Sequence, residues 1–186
     1  SGIGWELAVQ LAAKGYQLGL MARRSGCLEK LAGKLPGEHF IQVTDVSQAE
    51  QSQAELTALI EKMGDVDLIV VNSGVGNKER KLDWVVEREM IDVNVRGFAA
   101  MSLTSMNYFT QRGAGHLVGL SSCAAHFSAG VTPTYNATKA FASNYLNGLR
   151  SRAVRSKLPI TVTTIEPGFV ETPMVEGKPI DLVSPE

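Results

Sequence analysis

The sequence predicts an α/β fold in which a doubly wound parallel sheet carries helices on both faces. Short β-branched or apolar runs alternate with longer amphipathic stretches along the chain, as in strands joined by crossover helices. The run Leu68-Ile69-Val70-Val71 is apolar at every position, which predicts a strand covered on both sides. No repeat, low-complexity tract or Pro- and Ser-rich linker interrupts this pattern. We therefore expect one domain over residues 1–186.

The individual elements follow from local spacing. Five buried strands are predicted at residues 16–22, 39–46, 68–72, 116–121 and 160–165. Helices are predicted at residues 5–14, 28–35, 48–63, 83–111 and 135–157. The fourth helix is expected to break near Arg96-Gly97. At the start of the third helix, Ser47-x-x-Glu50 has the spacing of a capping box, in which both side chains bind the first free amides of a helix.

Composition argues against several classes of partner. Lysine and arginine number 18 against 19 aspartate and glutamate, so no basic surface for nucleic acid or an anionic membrane is expected. The longest stretch without a charged residue, 113–138, is too polar and too rich in glycine to predict a membrane span. The two cysteines, Cys27 and Cys123, cannot form a disulfide framework, which favours a reducing, cytoplasmic location.

A glycine pair opens the first predicted helix. Gly2-x-Gly4 followed by a helix and then a strand is typical of a dinucleotide loop, whose amides and helix dipole hold a pyrophosphate. The strand and the first glycine that should precede such a loop are missing, and the chain starts without Met. We therefore expect the N-terminus to be truncated, and a tight turn without a ligand is the alternative.

Two arginines follow the strand at 16–22. An NAD-preferring site ordinarily carries Asp or Glu at this strand end to bind the ribose 2′-hydroxyl. Arg23 and Arg24 stand there instead, and arginine suits the 2′-phosphate of NADP. The alternative is a pair of solvated arginines.

Polar residues also follow the next two strands. Asp45-Val46 closes one strand and Asn72-Ser73-Gly74 closes the other, at the sheet edge where doubly wound folds bind ligands. Taken singly, each motif is also typical of a plain turn. Asn94 lies on a helical stretch where polar residues normally face water, so its role depends on its neighbours.

Three residues further along have the pattern of a proton-transfer site. Tyr135 and Lys139 are four residues apart and share one helix face, where an ammonium favours the phenolate and lowers the pKa of the phenol. That would make Tyr135 a proton donor usable near neutral pH. Ser122 follows a strand and is placed to hydrogen-bond a substrate oxygen. An unrelated surface pair is the alternative for the Tyr and Lys spacing alone.

Other chemistries are disfavoured. His39, His116 and His126 lack metal-ligand spacing and are interpreted as solvated or core histidines. Cys123 is expected to pack as a small apolar residue. Ser122 lacks the Gly-x-Ser-x-Gly setting of a hydrolase nucleophile.

Taken together, these motifs resemble the classical short-chain dehydrogenase/reductase family. The resemblance spans almost the whole chain, and the Ser, Tyr and Lys spacing is its most specific part. Its motifs, in chain order, are Ser1-Gly-Ile-Gly4, Asp45-Val46, Asn72-Ser-Gly74, Asn94-Val-Arg-Gly97, Ser121-Ser122, Tyr135-Asn-Ala-Thr-Lys139 and Pro167-Gly-Phe-Val-Glu-Thr172.

The resemblance implies a Rossmann-type fold and four catalytic residues. Tyr135 would be the general acid in reduction and the general base in oxidation. Lys139 would lower the pKa of Tyr135 and bind the nicotinamide ribose, and Ser122 would orient the substrate oxygen. Asn94 would hold a water of the proton relay through a main-chain carbonyl whose geometry depends on a local helix kink.

The resemblance also implies an NADP site along the strand ends. The residues implied are Ser1, Gly2, Ile3 and Gly4 at the phosphates, Arg23 and Arg24 at the 2′-phosphate, Asp45 and Val46 beside the adenine, Asn72 and Gly74 along the cofactor, Tyr135 and Lys139 at the nicotinamide half, and Thr172 at the carboxamide after the Pro167-Gly168 turn.

Two departures from the family pattern stand out. Ser73 replaces the alanine of the usual Asn-Ala-Gly motif, which should have little effect. Family members begin with a strand and continue into a substrate lid and a final strand, so we expect this fold to be truncated at both ends and to bind the cofactor poorly as it stands.

The sequence therefore predicts an enzyme, an NADP-dependent oxidoreductase that moves hydride between NADP(H) and a carbonyl or secondary alcohol. A catalytically idle NADP(H)-binding sensor or scaffold and an epimerase or dehydratase of the same family are the alternatives. The expected site wall is mostly apolar and favours a moderately apolar carbonyl substrate. Its residues are Ala124, His126, Phe127 and Val131.

A homodimer or homotetramer is also implied by the resemblance, through the helices that hold Asn94 and Tyr135. Ala142, Tyr145 and Leu149 are expected to supply the apolar stripe of that interface. Metal ligands are not expected.

Overall fold

Helices and strands alternate in the order that the sequence predicts. The computed structural model describes residues 2–76, 82–128, 130 and 132–171. Its strands are β1 (Gly19–Ala22), β2 (Phe40–Val43), β3 (Leu68–Val71), β4 (Gly115–Leu120) and β5 (Ile160–Ile165). Its α-helices are α1 (Ile3–Ala13), α2 (Ser25–Ala32), α3 (Ala49–Met63), α4 (Trp84–Ile91), α5 (Phe98–Arg112) and α6 (Pro133–Ser156).

Every strand pairing in the described residues is parallel. β1 pairs with β2, and β4 lies between β3 and β5, so the strands form one group of two and one group of three. The prediction of five buried strands is wrong for β2, which exposes Ile41 and Val43. Residues 117–120 of β4 are all buried, because β4 has strand neighbours on both edges and helices packed on its faces. The site therefore rests on the most enclosed strand.

The main hydrophobic core packs around β4. Leu117 of β4, Phe109 of α5 and Leu146 of α6 have no exposed surface. A smaller cluster joins α1, β1 and α2 through Ala12, Leu20 and Leu28. Since interiors are packed as densely as organic crystals, the core leaves little freedom to the end of β4 or to α6.

The helical stretch around Asn94 is continuous, so the predicted break near Arg96-Gly97 is wrong. A π-helix, Asp92–Gly97, connects α4 directly to α5. A side chain at Gly97 would collide with the carbonyl oxygen of Val46, so glycine is what allows this helix to approach the loop after β2. The π-helix places Asn94 in backbone that departs from α-helical geometry, and the kink that the family resemblance implies there stays a prediction.

The predicted capping box at α3 is absent. The helix begins at Ala49 after Gln48, and no side chain caps it. Ser47 instead donates its hydroxyl to Asp45 Oδ1 at 2.8 Å, and its backbone amide donates to the same oxygen at 3.0 Å. This local turn occupies the hydroxyl that the capping box would need.

The predicted interface stripe on α6 is also wrong for two of its three residues. Ala142 is only 1% exposed and Leu149 is 8% exposed, because both belong to the core of this chain. The large apolar side chains exposed on the described parts of α5 and α6 are Leu103 and Val154.

Candidate active site

The candidate site lies at the carboxyl ends of β3, β4 and β5. Asn72 follows β3 and lies against the first turn of α1, where a Cβ on Gly4 would be 2.5 Å from Asn72 Nδ2. Ser121 and Ser122 follow β4, and the Ser121 amide donates to Ile165 O at 2.8 Å. The lysine of α6 reaches the same edge, since Lys139 Nζ donates to Leu120 O at 3.1 Å. The strand ends therefore bring together most of the described residues that the sequence singles out.

Ser122 is anchored on two sides. Its Oγ accepts the Ala124 amide at 3.2 Å, which caps a short 3₁₀ turn, Cys123–His126. The same hydroxyl lies 3.4 Å from Pro167 O, and the Cys123 amide donates to that carbonyl at 3.0 Å. The turn after β4 and the Pro167 turn after β5 are thus joined at the serine.

Tyr135 lies in the first turn of α6, near the Ser122 side chain. Burial raises the pKa of Tyr135 above its ordinary value, and the nearby Ser122 side chain, which lowers it, offsets only part of that rise. The expectation of a lowered pKa for Tyr135 is therefore wrong in its net direction. The reason is that desolvation disfavours the phenolate more than the neighbouring groups favour it. At neutral pH the phenol keeps its proton, which is the state a general acid requires.

Lys139 is a buried cation. It is 7% exposed, and its Nζ lies 5.8 Å from the centre of the Tyr135 ring. Desolvation lowers the pKa of Lys139 to about 8. Among the described residues, no carboxylate lies within ion-pair distance of its ammonium. Gly74 borders the same space, since a Cβ there would be 3.4 Å from Nζ.

Asn94 is a buried residue of the π-helix, and both the oxygen and the nitrogen of its side-chain amide form hydrogen bonds. Its Oδ1 accepts the Val75 amide at 2.9 Å, and its Nδ2 donates to Val75 O at 2.8 Å and to Thr138 Oγ1 at 3.1 Å. The side chain therefore fastens the loop after β3 to the helix that carries Tyr135 and Lys139. The relay water at its main-chain carbonyl stays a prediction.

Several residues expected at the cofactor lie along the same edge. Gly2 opens α1 with φ 63°, a left-handed conformation that glycine adopts easily, and no side chain caps this helix. Ile3 and Gly4 form its first turn. Pro167 and Gly168 follow β5. Ser1 and Thr172 lie outside the described residues, as does the wall residue Val131.

The two arginines follow β1 as predicted. Arg23 is half exposed and forms an ion pair with Glu89 of α4 at 3.6 Å. Arg24 precedes α2 as its N-terminal flanking residue. Asp45 Oδ1 accepts hydrogen bonds from the amide and the hydroxyl of Ser47, and Val46 packs against Gly97.

Sequence reasoning missed the polar residues behind the site. Asn136 of α6 donates to the carbonyls of Ala124 at 3.0 Å and Phe127 at 2.8 Å, which ties the 3₁₀ turn to the helix. Ser143 of α6 donates its hydroxyl to Oε1 of Glu166, the residue after β5, at 2.6 Å. The sequence gives one sign of their role: Asn136 directly follows Tyr135, and Glu166 directly precedes Pro167.

Replacing Lys139 with methionine is expected to stabilise the fold below pH 8. The pKa of Lys139 is about 8 in the folded chain and 10.5 is the ordinary value of lysine, so between these two pH values the unfolded chain holds a proton that the folded chain lacks. Stability of the wild type therefore rises with pH across that window, and below it the full cost of the buried ammonium is present. The gain from Lys139→Met should be about 3 kcal/mol larger at pH 7 than at pH 10.5.

Urea unfolding of both proteins at the two pH values measures this difference. Lys157→Met, at an exposed lysine directly after the same helix, is the control and should show no such pH dependence. An equal effect of Lys139→Met at both pH values would contradict the lowered pKa.

Comparison with known proteins agrees with this geometry. A sequence model of the short chain dehydrogenase family matches residues 1–181. An uncharacterized oxidoreductase from Staphylococcus epidermidis is 30% identical over 179 residues, which cover 95% of this chain and 77% of the relative.

Two solved structures show the same similarity. An alcohol dehydrogenase from the archaeon Thermococcus sibiricus, complexed with 5-hydroxy-NADP, has 28% identity and a TM-score of 0.82 over 99% of this chain and 81% of its own. A short chain dehydrogenase/reductase from Burkholderia phymatum in complex with NAD has 26% identity and a TM-score of 0.86 over 94% of this chain and 64% of its own.

Parallel strands joined by helices, with the polar residues at the strand ends, define a Rossmann-like α/β protein. The chain belongs to the short chain dehydrogenase family. Members of this family are oxidoreductases that use nicotinamide cofactors and act on small molecules. None of the helices in the described ranges combines the length and apolar character needed to cross a bilayer.

Proposed function

We propose that this chain is an NADP(H)-dependent oxidoreductase that transfers hydride between the nicotinamide and a carbonyl or secondary alcohol. The observation that carries the proposal is that Tyr135 lies near Ser122 and beside the buried Lys139, whose Nζ is 5.8 Å from the centre of the Tyr135 ring. A proton donor, a second hydrogen-bonding hydroxyl and a cation converge there at the carboxyl end of β4. Reduction of a carbonyl needs these groups at the oxygen that becomes negative.

The residues present fit a dinucleotide. The N-terminus of α1 has no side-chain cap, so its first amides and dipole suit a phosphate. Gly4 keeps the helix close to Asn72, and Gly74 leaves room beside Lys139 Nζ. In the proposal Gly2 and Gly4 hold the phosphates, Lys139 binds the nicotinamide ribose, and Asp45 and Val46 flank the adenine. Bound NADPH supplies the hydride.

The proposed role of the chain in reduction is to bind the substrate oxygen and protonate it. Tyr135 donates its phenolic proton to that oxygen, while the Ser122 hydroxyl donates a second hydrogen bond and orients the carbonyl. The Lys139 ammonium beside the ring stabilises the phenolate that forms. In alcohol oxidation Tyr135 takes the proton back. Asn94 keeps the loop at Val75 against α6, so that Lys139 and Gly74 stay together.

The proposed substrate is a moderately apolar carbonyl compound. Ala124 and the exposed Phe127 line the turn that follows Ser122. His126 adds one polar group to this wall, 2.7 Å from Glu166 Oε2.

Two properties of the whole protein complete the proposal. A homodimer or homotetramer would cover the exposed Leu103 and Val154 of α5 and α6. A cytoplasmic location agrees with two free cysteines, Cys27 and Cys123.

The direct test is oxidation of NADPH and of NADH by the purified full-length protein across a panel of aldehydes and ketones. Loss of the reduced-nicotinamide absorbance is followed at matched concentrations. We expect turnover with apolar carbonyl compounds and higher kcat/KM for NADPH than for NADH. Oxidation of neither cofactor with any substrate would reject the oxidoreductase function, and equal kcat/KM would reject the NADP preference.

Arg23→Asp is expected to shift the cofactor preference towards NAD. Arg23 lies at the end of β1, and its ion pair with Glu89 is exposed and therefore weak enough for a 2′-phosphate to replace. Loss of a charge-assisted hydrogen bond and introduction of a carboxylate should lower kcat/KM for NADPH about tenfold or more. Steady-state kinetics with both cofactors measures the shift.

Arg155→Asp makes the same charge change on the exposed side of α6 and should leave the NADPH to NADH ratio unaltered. An unaltered ratio in Arg23→Asp as well would mean that another group binds the 2′-phosphate.

A further inference from the structure

A cluster of polar side chains lies behind the candidate site, where β4, β5 and α6 meet. Glu166, the residue after β5, is at its centre: Oε1 is 2.6 Å from Ser143 Oγ and Oε2 is 2.7 Å from His126 Nε2. Ser143 Oγ is also 2.7 Å from Ser121 Oγ, and Ser121 donates to Lys139 O at 2.8 Å. The cluster therefore reaches from an exposed histidine to the backbone of the helix residue that carries the buried ammonium.

Glu166 contacts both segments that hold Ser122, Tyr135 and Lys139. Through His126 it holds the 3₁₀ turn that begins directly after Ser122. Through Ser143, one helical turn beyond Lys139, it holds α6. Its chain neighbour Pro167 accepts the Cys123 amide at 3.0 Å. No other carboxylate in the described ranges has contacts to both the turn and α6.

The charge of Glu166 matters to this geometry. The Ser143 and His126 hydrogen bonds hold the pKa of Glu166 below its ordinary value, so the side chain is ionised at neutral pH although it is only 32% exposed. Ser143 has a single hydroxyl hydrogen and faces two acceptors, the carboxylate and Ser121 Oγ. Hydrogen bonds to an ionised acceptor are the stronger ones, so the carboxylate fixes the direction of that hydrogen.

Asn136 holds the same turn from a different direction. It bonds the Ala124 and Phe127 carbonyls from the first turn of α6, whereas Glu166 bonds the His126 side chain from the end of β5. The turn is thus fixed between two anchors. Removing either Asn136 or Glu166 should shift Ser122 relative to Tyr135, while the other residue still holds the turn in place.

We propose that Glu166 is a positioning residue, which holds the turn after Ser122 and helix α6 in fixed register through His126 and Ser143, so that Ser122 keeps its place beside Tyr135. The proposal rests on the function proposed above, because Ser122 and Tyr135 are the groups it positions. Glu166 itself touches neither hydroxyl and takes no part in proton transfer.

Three substitutions test the role. Glu166→Ala removes both links, and we expect kcat for carbonyl reduction to fall about tenfold, since small misplacements of reacting groups are costly. The NADPH Kd, measured by binding, should change less than about twofold because Glu166 is outside the proposed cofactor contacts. Glu166→Gln keeps the shape and an oxygen for Ser143 but removes the charge, so its kcat should lie between that of Glu166→Ala and that of the wild type. If Glu166→Ala does not fold, Ser143→Ala takes its place and should lower kcat in the same direction.

Asp65→Asn is the matched control. Asp65 accepts hydrogen bonds from Arg112 and Tyr108 at the other end of the sheet, before β3. Loss of the Asp65 charge should lower Tm and leave kcat unaltered. This control therefore separates a general loss of stability from a loss of positioning.

A second measurement needs no cofactor. Alkaline titration of the phenolate absorbance, with the curve of Tyr135→Phe subtracted, gives the pKa of Tyr135 alone. Ser122 lowers this pKa, so loosening the turn in Glu166→Ala should raise it above the wild-type value, whereas Asp65→Asn should not.

The two measurements separate the possible failures. A wild type that reduces no carbonyl compound would reject the proposed function, and the titration alone would then decide on Glu166. In an active wild type, the positioning role requires both the fall in kcat and the rise in the Tyr135 pKa. An unaltered kcat, or a fall without that rise, overturns it.

Discussion

Tyr135→Phe is expected to lower turnover about 10²-fold or more while NADPH affinity is retained. The substitution keeps the ring and its packing and removes only the hydroxyl. Burial keeps the phenol protonated at neutral pH, so the wild type has a proton to donate, whereas the variant has none. Steady-state kcat and a direct NADPH titration, made on the same preparation, measure the two effects.

Tyr145→Phe is the matched control, because Tyr145 lies further along the same helix, stacked on Phe141 and outside the candidate site. It should leave turnover within about twofold of the wild type. If folded Tyr135→Phe that binds NADPH kept turnover within a few-fold of the wild type, Tyr135 would not be the acid. The reading as an NADP(H)-binding sensor or scaffold would then be preferred.

Lys139→Met, the same substitution that should stabilise the fold, is expected to lower turnover about 10²-fold or more and to weaken NADPH binding about tenfold. The ammonium is the positive charge nearest the Tyr135 ring among the contacts described, and it borders the space beside Gly74. Methionine fills the same volume without the charge, so the phenolate loses its stabilisation and the ribose loses a donor. Kinetics and NADPH binding near neutral pH measure both losses.

A gain in stability together with a loss of function is the signature expected of a charge buried for catalysis. Lys157→Met should alter neither turnover nor NADPH affinity, since that lysine is exposed. Normal turnover in Lys139→Met would show that the lysine has only a structural role.

The fold was predictable because strand and helix spacing are local properties. Ile160–Ile165 is a strand over the predicted bounds, α3 differs from its predicted bounds by one residue at its start, and α6 differs by two residues at its start and one at its end. The spacing of Tyr135 and Lys139 marked one helix face, and the position of Ser122 after β4 placed it on the same edge of the sheet.

What the sequence could not predict depends on contacts between distant residues. The capping box failed because Asp45 competes for the Ser47 hydroxyl. The raised pKa of Tyr135 results from burial, which no local spacing reveals. Glu166 was missed for the same reason, since His126 and Ser143 are 40 and 23 residues away in the chain.

Hydride transfer itself is the central claim, and NADPH labelled with deuterium at the nicotinamide C4 position tests it most directly. The purified protein is incubated with labelled NADPH and an apolar ketone, and the alcohol is examined by mass spectrometry. We predict one deuterium on the carbinol carbon for each NADPH consumed, with Tyr135→Phe forming far less product. NADPH that binds without being consumed, or is consumed without deuterium entering the alcohol, would contradict the account.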